Sequence, residues 1–428
     1  MKFKVNKESS NILINIGWLF SQSAIRMALS LFVGIWVARY LGPSNYGLLN
    51  FSLALTAIFI GLAPLGLQGL VVRELVQNES EAQALMGSSF FLSLVSGLIS
   101  YLLLIATIYF MRPYEPLAQL AVAIAGLSIL FKAIDVIKYW FESNVNSKCV
   151  VWVQIVALII TSAVKIVLII LHAEIIAFIW VTVIESVLVA IGLLLGYRRY
   201  SESFLNWRVR KDQMAYLLKE SWPLFLSSIS VIANLNIDKV MLGQISGEHE
   251  LGLYSVASNL AQIWYVIPVF VGASIAPSLT KLFHENPLAY AKRINMIFKY
   301  LFWLAMVLIL LTTLFGEMIV GFIFGEQYLL SVKVLFIQIY NTVFLFHISF
   351  RKRLLLIEGL QKHIFYLSLY MLVSNIVLNY LLIPRLNGIG AAYASLFSWA
   401  SNALIFPLLF KETRKHPKIF FLTIFSRA

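Results

Sequence analysis

Apolar runs of about twenty residues recur along the whole sequence, and no other feature limits its fold so tightly. They are Ile12–Val37, Tyr46–Val72, Leu85–Met111, Leu117–Ile137, Cys149–Leu171 and Ile175–Tyr197, followed by a polar stretch from Arg198 to Glu220. Six more come after it: Trp222–Leu242, Leu253–Leu279, Tyr300–Phe324, Val332–Phe350, Ile364–Ile383 and Ile389–Phe410. A hydrocarbon core about 30 Å thick needs about 20 helical residues to cross it, so each run is long enough to span. Only 12% of the residues are charged and 60% are hydrophobic, where soluble chains carry about 25% charge. The pattern predicts an all-α integral membrane protein of about 12 transmembrane helices in two six-helix bundles around a central cavity. The first bundle is expected over 1–200, a cytoplasmic linker over 201–220 and the second bundle over 221–428. Leu117–Ile137 is the least regular run, with Lys132 and Asp135 near its end. The first run is too long for a signal-peptide core and reads as an uncleaved first helix. One cysteine, Cys149, excludes an intramolecular disulfide.

A net charge of +13 would suggest nucleic acid in a soluble chain. Here the cations cluster between apolar runs, which is the pattern of cytoplasmic membrane anchors, and nucleic acid is not an expected partner. With the N-terminus inside, 26 of the 33 Lys and Arg fall on the inner side and 5 on the outer side. The inner set includes the group Arg351, Lys352 and Arg353; the remaining two, Arg26 and Lys165, lie within runs. Both termini are therefore expected in the cytoplasm.

The two halves share a motif. Gly-x4-Gly-Leu opens the second run at Gly42, Gly47 and Leu48, and the eighth at Gly247, Gly252 and Leu253, at a constant offset of 205 residues. The equivalent position in each half predicts a duplication, and an even number of helices per half makes the repeats parallel. Enzyme signatures are missing. The chain has no Gly-x4-Gly-Lys-Ser/Thr phosphate loop, no His-Glu-x-x-His and no Gly-x-Ser-x-Gly. Its three aspartates, Asp135, Asp212 and Asp238, form no Asp-x-Asp pair, and the outer loops are too short to carry catalytic side chains. A transporter is the expected class, with no cofactor.

A charge at the bilayer centre costs about 2.5–3.5 kcal/mol on insertion scales, so it should face protein or water. Arg26 lies mid-run with Gln22 and Ser30 one turn away on either side, which reads as a solvated cavity face. Lys165 shares a depth with Glu185; a Lys165–Glu185 ion pair and a cavity role both fit. Ser227, Ser230, Asn234 and Asp238 form a stripe that reads as a hydrated path. Shorter stripes are Ser255, Asn259 and Gln262, and Ser368, Asn375 and Asn379; Pro268 is expected to kink its helix.

The segment Ala38-Arg39-Tyr40-Leu41-Gly42-Pro43-Ser44-Asn45-Tyr46-Gly47 resembles the hallmark of polysaccharide flippases. These are the Wzx-type O-antigen exporters of the multidrug/oligosaccharidyl-lipid/polysaccharide superfamily. Ile237-Asp238-Lys239-Val240-Met241-Leu242-Gly243 is similar to the family's seventh-helix ending. Asn375-Ile376-Val377-Leu378-Asn379 through Ile383-Pro384, then Gly388-Ile389-Gly390-Ala391-Ala392, is similar to its last two helices. The resemblance implies a flippase in a bacterial cytoplasmic membrane, moving undecaprenyl-pyrophosphate-linked oligosaccharide through a cationic cavity by alternating access. Arg26 and Lys165 would meet the pyrophosphate, and Gln22, Asn234, Asn259 and Asn375 the sugar hydroxyls. Asp238 and Glu185 are the candidates for ion coupling. Membrane lipids, a glycan polymerase and other assembly proteins are the further expected partners. Two alternatives stand beside it. A drug/cation antiporter of the same superfamily would want acids in the cavity, where Arg26 and Lys165 sit; a non-transporting scaffold for glycan-assembly enzymes would need no charged cavity.

Overall fold

A computed structural model describes the backbone of residues 7–200, 204–415 and 417, with side chains from Ser23 onward except at 24, 79 and 205. Every regular element among the described residues is helical. In chain order they are α1 (Lys7–Ile60), α2 (Leu67–Gln77), α3 (Ala82–Met111), α4 (Pro116–Ser143), α5 (Ser147–Ile170) and α6 (Ile175–Tyr200). Then follow α7 (Lys211–Ile245), α8 (Gly247–Glu285), α9 (Pro287–Phe324), α10 (Ser331–Ile357) and α11 (Gln361–Leu404). All except the short α2 are long and apolar enough to cross a membrane, ten helices among the described residues. Two of the ten are broken, α1 at Gly42 (φ 70°) and α11 at Asn387 (φ 49°), so they supply two arms each and the expected twelve spans result. Glycine and asparagine are the residues that enter the left-handed region at least cost. Large apolar side chains such as Phe110 (80% exposed) and Phe322 (84%) point away from the protein, as lipid-facing residues do.

Several sequence expectations shift. The second span ends at Ile60 rather than Val72, because Pro64 and Gly66 (φ 69°) follow in a turn and α2 begins afresh. Residues 211–220, expected as linker, are the first turns of α7. Trp207 ahead of them is packed, its indole donating to the Tyr197 hydroxyl at 3.1 Å. In α4 the stretch Leu127–Asp135 tightens to a 3-10 helix, and Asp135 pairs with both Lys132 (3.4 Å) and Lys138 (2.7 Å). Those pairs let a run with three charges remain helical. The turn Ile263–Tyr265 in α8 is also 3-10 and lies just before Pro268, the residue expected to disturb that helix.

The chain divides into two compact units, residues 1–41 with 52–232, and residues 42–51 with 233–428. In the first, Leu70, Leu85, Val136, Phe141 and Leu193 form a core with Trp140 and Trp207 against it. In the second, Phe298, Phe346, Phe350 and Leu354 do the same work. The second unit also holds both copies of the glycine motif. Gly42 and Gly247 both take positive φ, 70° and 84°. Gly47 and Gly252 are both pressed on backbone. A Cβ on Gly47 would fall 1.8 Å from the Glu248 carbonyl oxygen, and one on Gly252 would fall 2.0 Å from that of Pro43. The 205-residue offset turns the first contact into the second, so the repeats meet reciprocally, as the halves of a twofold contact do.

Candidate transport site

Each unit holds a cluster of polar groups within its spanning helices. In the first, Arg26 on α1 approaches Glu185 on α6 at 3.7 Å, with the arginine side chain 46% exposed and the glutamate 25%. Lys165 on α5 is half-buried and near enough to Glu185 to feel its charge. The pair formed is thus Arg26–Glu185 instead of the Lys165–Glu185 pair weighed from the sequence, and one carboxylate serves two cations. The Gln22 side chain lies outside the described residues.

In the second unit the polar groups are mostly uncharged. Asp238 on α7 accepts from Asn379 Nδ2 at 2.7 Å, from the Tyr254 hydroxyl at 3.0 Å and from Ser395 Oγ. Asn375 is buried and accepts from Asn379 at 2.9 Å. Asn234 donates to the Ser368 carbonyl at 2.9 Å. Lys239 donates to Asn259 at 3.3 Å, which in turn donates to the Tyr46 hydroxyl at 3.1 Å. Lys239 is therefore tied into the helices. Ser227 and Ser230 bond back to their own helix carbonyls, so the stripe read as a hydrated path reduces to Asn234 and Asp238.

Those two side chains reach a pocket of about 340 Å³, counting its open mouth. Of the residues singled out from sequence for the cavity or for ion coupling, only Asn234 and Asp238 line it. Gln262 of the shorter stripe and Lys239 line it too, and further walls come from positions the sequence reading passed over, among them Tyr254, Tyr265, Gln338, Asn341 and Trp399. Gln338 and Asn341 flank a tightened turn, Ile339–Tyr340, between the helical stretches Ser331–Gln338 and Asn341–Ile357 of α10. Their spacing of three was a readable signal, since it puts two amides on one face. Arg351 was also misplaced: it is not a loop cation but a buried one, 1% exposed. Its guanidinium donates to the Asn402 carbonyl at 2.9 Å, to that of Ala403 at 3.3 Å and to the Asn402 side chain. Those carbonyls end α11, where a cation satisfies acceptors the helix leaves open.

A family model described as "Polysaccharide biosynthesis protein" matches residues 12–283, well over half of the chain. The chain belongs to that family. Among curated proteins it is 23% identical over 201 residues to the capsular polysaccharide biosynthesis protein CapF of Staphylococcus aureus, covering 46% of this chain. The chain spans about half the length of that relative. Two solved structures share its fold across nearly their whole length. One is the lipid II flippase MurJ in an inward closed conformation, with TM-score 0.70, 16% identity and 95% and 90% of the two chains covered. The other is an inward-facing multidrug resistance MATE family transporter of the MOP superfamily, with TM-score 0.69, 15% identity and 94% and 96% covered. A MOP superfamily transporter from Pyrococcus furiosus follows at TM-score 0.61, 14% identity and coverage of 97% and 96%. This polysaccharide biosynthesis family member is a multi-pass membrane protein with the fold of those structures.

Proposed function

We propose that the protein is a flippase for an undecaprenyl-pyrophosphate-linked oligosaccharide, an O-antigen or related repeat unit, working by alternating access. It acts in a bacterial cytoplasmic membrane with both termini in the cytoplasm. The observation that carries this reading is the excess of cation over carboxylate at membrane depth in the first unit. Arg26 and Lys165 share the single carboxylate of Glu185, and nearly half of the arginine surface remains open. A pyrophosphate leaving water needs such charge and hydrogen-bond donors, and guanidinium matches phosphate oxygens two at a time.

The test is a flippase-deficient cell that still makes its repeat unit, supplied with this gene and assayed for surface polymer. Wild type should restore polymer, and Arg26→Ala and Lys165→Ala should each lose it at normal membrane abundance. Polymer restored by both variants would remove these residues from the site while keeping the flippase. No restoration with the cognate repeat unit would overturn the reading. A cation antiporter is the second reading, and Asp238 at the pocket wall favours it. It requires a cationic drug to be exported in an Asp238-dependent way.

A further inference from the structure

We propose that the pocket of the second unit is a carbohydrate subsite that holds one sugar ring of the transported headgroup; this rests on the flippase reading above. Four features of the pocket argue for it. Its wall carries two aromatic rings, Tyr265 and Trp399, with centroids 6.2 Å apart and planes inclined at 53°. Both rings are half-buried and braced on the apolar core of the unit, so they are held in place before a ligand arrives. An aromatic face is the platform on which the C–H face of a pyranose settles.

Behind the rings stands a bank of amides. Gln338 donates to the Tyr254 hydroxyl at 2.8 Å and accepts from Asn341 Nδ2 at 2.9 Å, which fixes both planes. Asn341 is 1% exposed, and its amide oxygen has no hydrogen-bond partner among the described residues. A buried acceptor with nothing to accept is costly, and a ligand hydroxyl reaching it relieves that cost. Gln262, near the rings on α8, donates to Ser258 at 2.9 Å and keeps its own oxygen as a further acceptor.

The backbone tells the same story. The 3-10 turn Ile263–Tyr265 places the tyrosine ring, and the tightened turn after Gln338 places the amide bank. Interrupted helices at membrane depth are tolerated where they line a cavity. The chemistry also suits a neutral guest. The Asp238 carboxylate is engaged by Tyr254, Asn379 and Ser395, and Lys239 by Asn259, so the pocket offers neutral donors and acceptors rather than a spare charge.

The experiment is saturation-transfer NMR on the full-length protein in lipid nanodiscs. The probes are methyl glycosides of glucose, galactose and mannose and of the N-acetylhexosamines. Transfer to the ring C–H protons of at least one probe is expected. It should weaken about fivefold or more in Trp399→Leu, persist in Trp399→Phe, and weaken in Gln262→Ala, because the ring face and one amide carry the contact. No transfer to any probe, or equal transfer to wild type and Trp399→Leu with both folded, overturns the subsite. Polymer export separates the two readings. Wild type that exports polymer without Trp399-dependent binding sinks the subsite alone; Trp399-dependent binding without export sinks the flippase alone.

Discussion

The two units solve the same problem in opposite ways. The first places formal charge at membrane depth and leaves it partly open, as Arg26 and Glu185 do at 3.7 Å. The second surrounds the acid of its cluster, Asp238, with amides and hydroxyls and closes its backbone seams to contact distance. Half-open charge keeps its capacity to bind an ion or a phosphate, because little of its hydrogen bonding is spent within the protein. A spent network holds geometry. The contrast teaches that these two clusters should fail differently when mutated, one in transport and the other in stability.

The largest expected effect tests the seams. Gly47→Ala and Gly252→Ala should each cost about 3 kcal/mol, because a Cβ at either site meets a backbone carbonyl with no room to move. The reciprocal contact predicts similar losses for the two. Gly34→Ala, with nothing within 4 Å, should be neutral or stabilising by about 0.5–1 kcal/mol. Melting temperatures in detergent decide it, and unequal losses at Gly47 and Gly252 would break the twofold account.

Next comes arginine against arginine. Arg351→Met should cost about 2–3 kcal/mol by stripping donors from the Asn402 and Ala403 carbonyls. Arg26→Met should shift stability by less than about 1 kcal/mol while abolishing export. Equal destabilisation by both, read as loss of native fold under denaturant, would erase the distinction between the units.

A smaller effect concerns the acids. Asp238→Asn should cost about 1–2 kcal/mol, since an amide turns one of its faces from acceptor to donor against Tyr254, Ser395 and Asn379. Glu185→Gln should change stability less. If Asp238 couples an ion, export by Asp238→Asn loses its response to the ion gradient as well, a readout independent of melting.

The smallest effect lies outside the spans. The Arg73 guanidinium, bonded to Glu74 at 2.8 Å, holds that carboxyl below the usual carboxylate range, with burial opposing and Tyr216 assisting. A depressed folded-state pKa contributes stability above the unfolded value, about pH 4.3, that is lost as pH falls through the folded one. The melting temperature of Arg73→Ala should fall slightly at pH 7, and its difference from wild type should vanish as pH drops through the folded-state pKa.

How much was legible in the chain follows the physics of each signal. The spans were readable because a lipid core demands long apolar helices wherever they end up packing. The repeat was readable too, since Gly42, Gly47, Gly247 and Gly252 are required by backbone geometry that recurs with the sequence. Asp238 and Asn234 showed themselves as a helical stripe, and both reach the pocket. Trp399 and Tyr265 did not, because an aromatic residue in an apolar run looks the same whether it faces lipid, core or a ligand. Arg351 misled for a related reason: a cation beside Lys352 and Arg353 carries the signature of a cytoplasmic loop. Only its burial against the α11 carbonyls distinguishes it.

By itself, then, the sequence determined that this protein is helical and membrane-spanning and carries a repeated glycine motif, because hydrophobic length, charge placement and glycine geometry act locally along the chain. Which polar groups meet was decided by tertiary structure alone. Glu185 pairs with Arg26, Gln338 and Asn341 bank behind Tyr254, and Trp399 leans towards Tyr265. Those partners lie up to some 160 residues apart, and no local periodicity encodes which helix faces which.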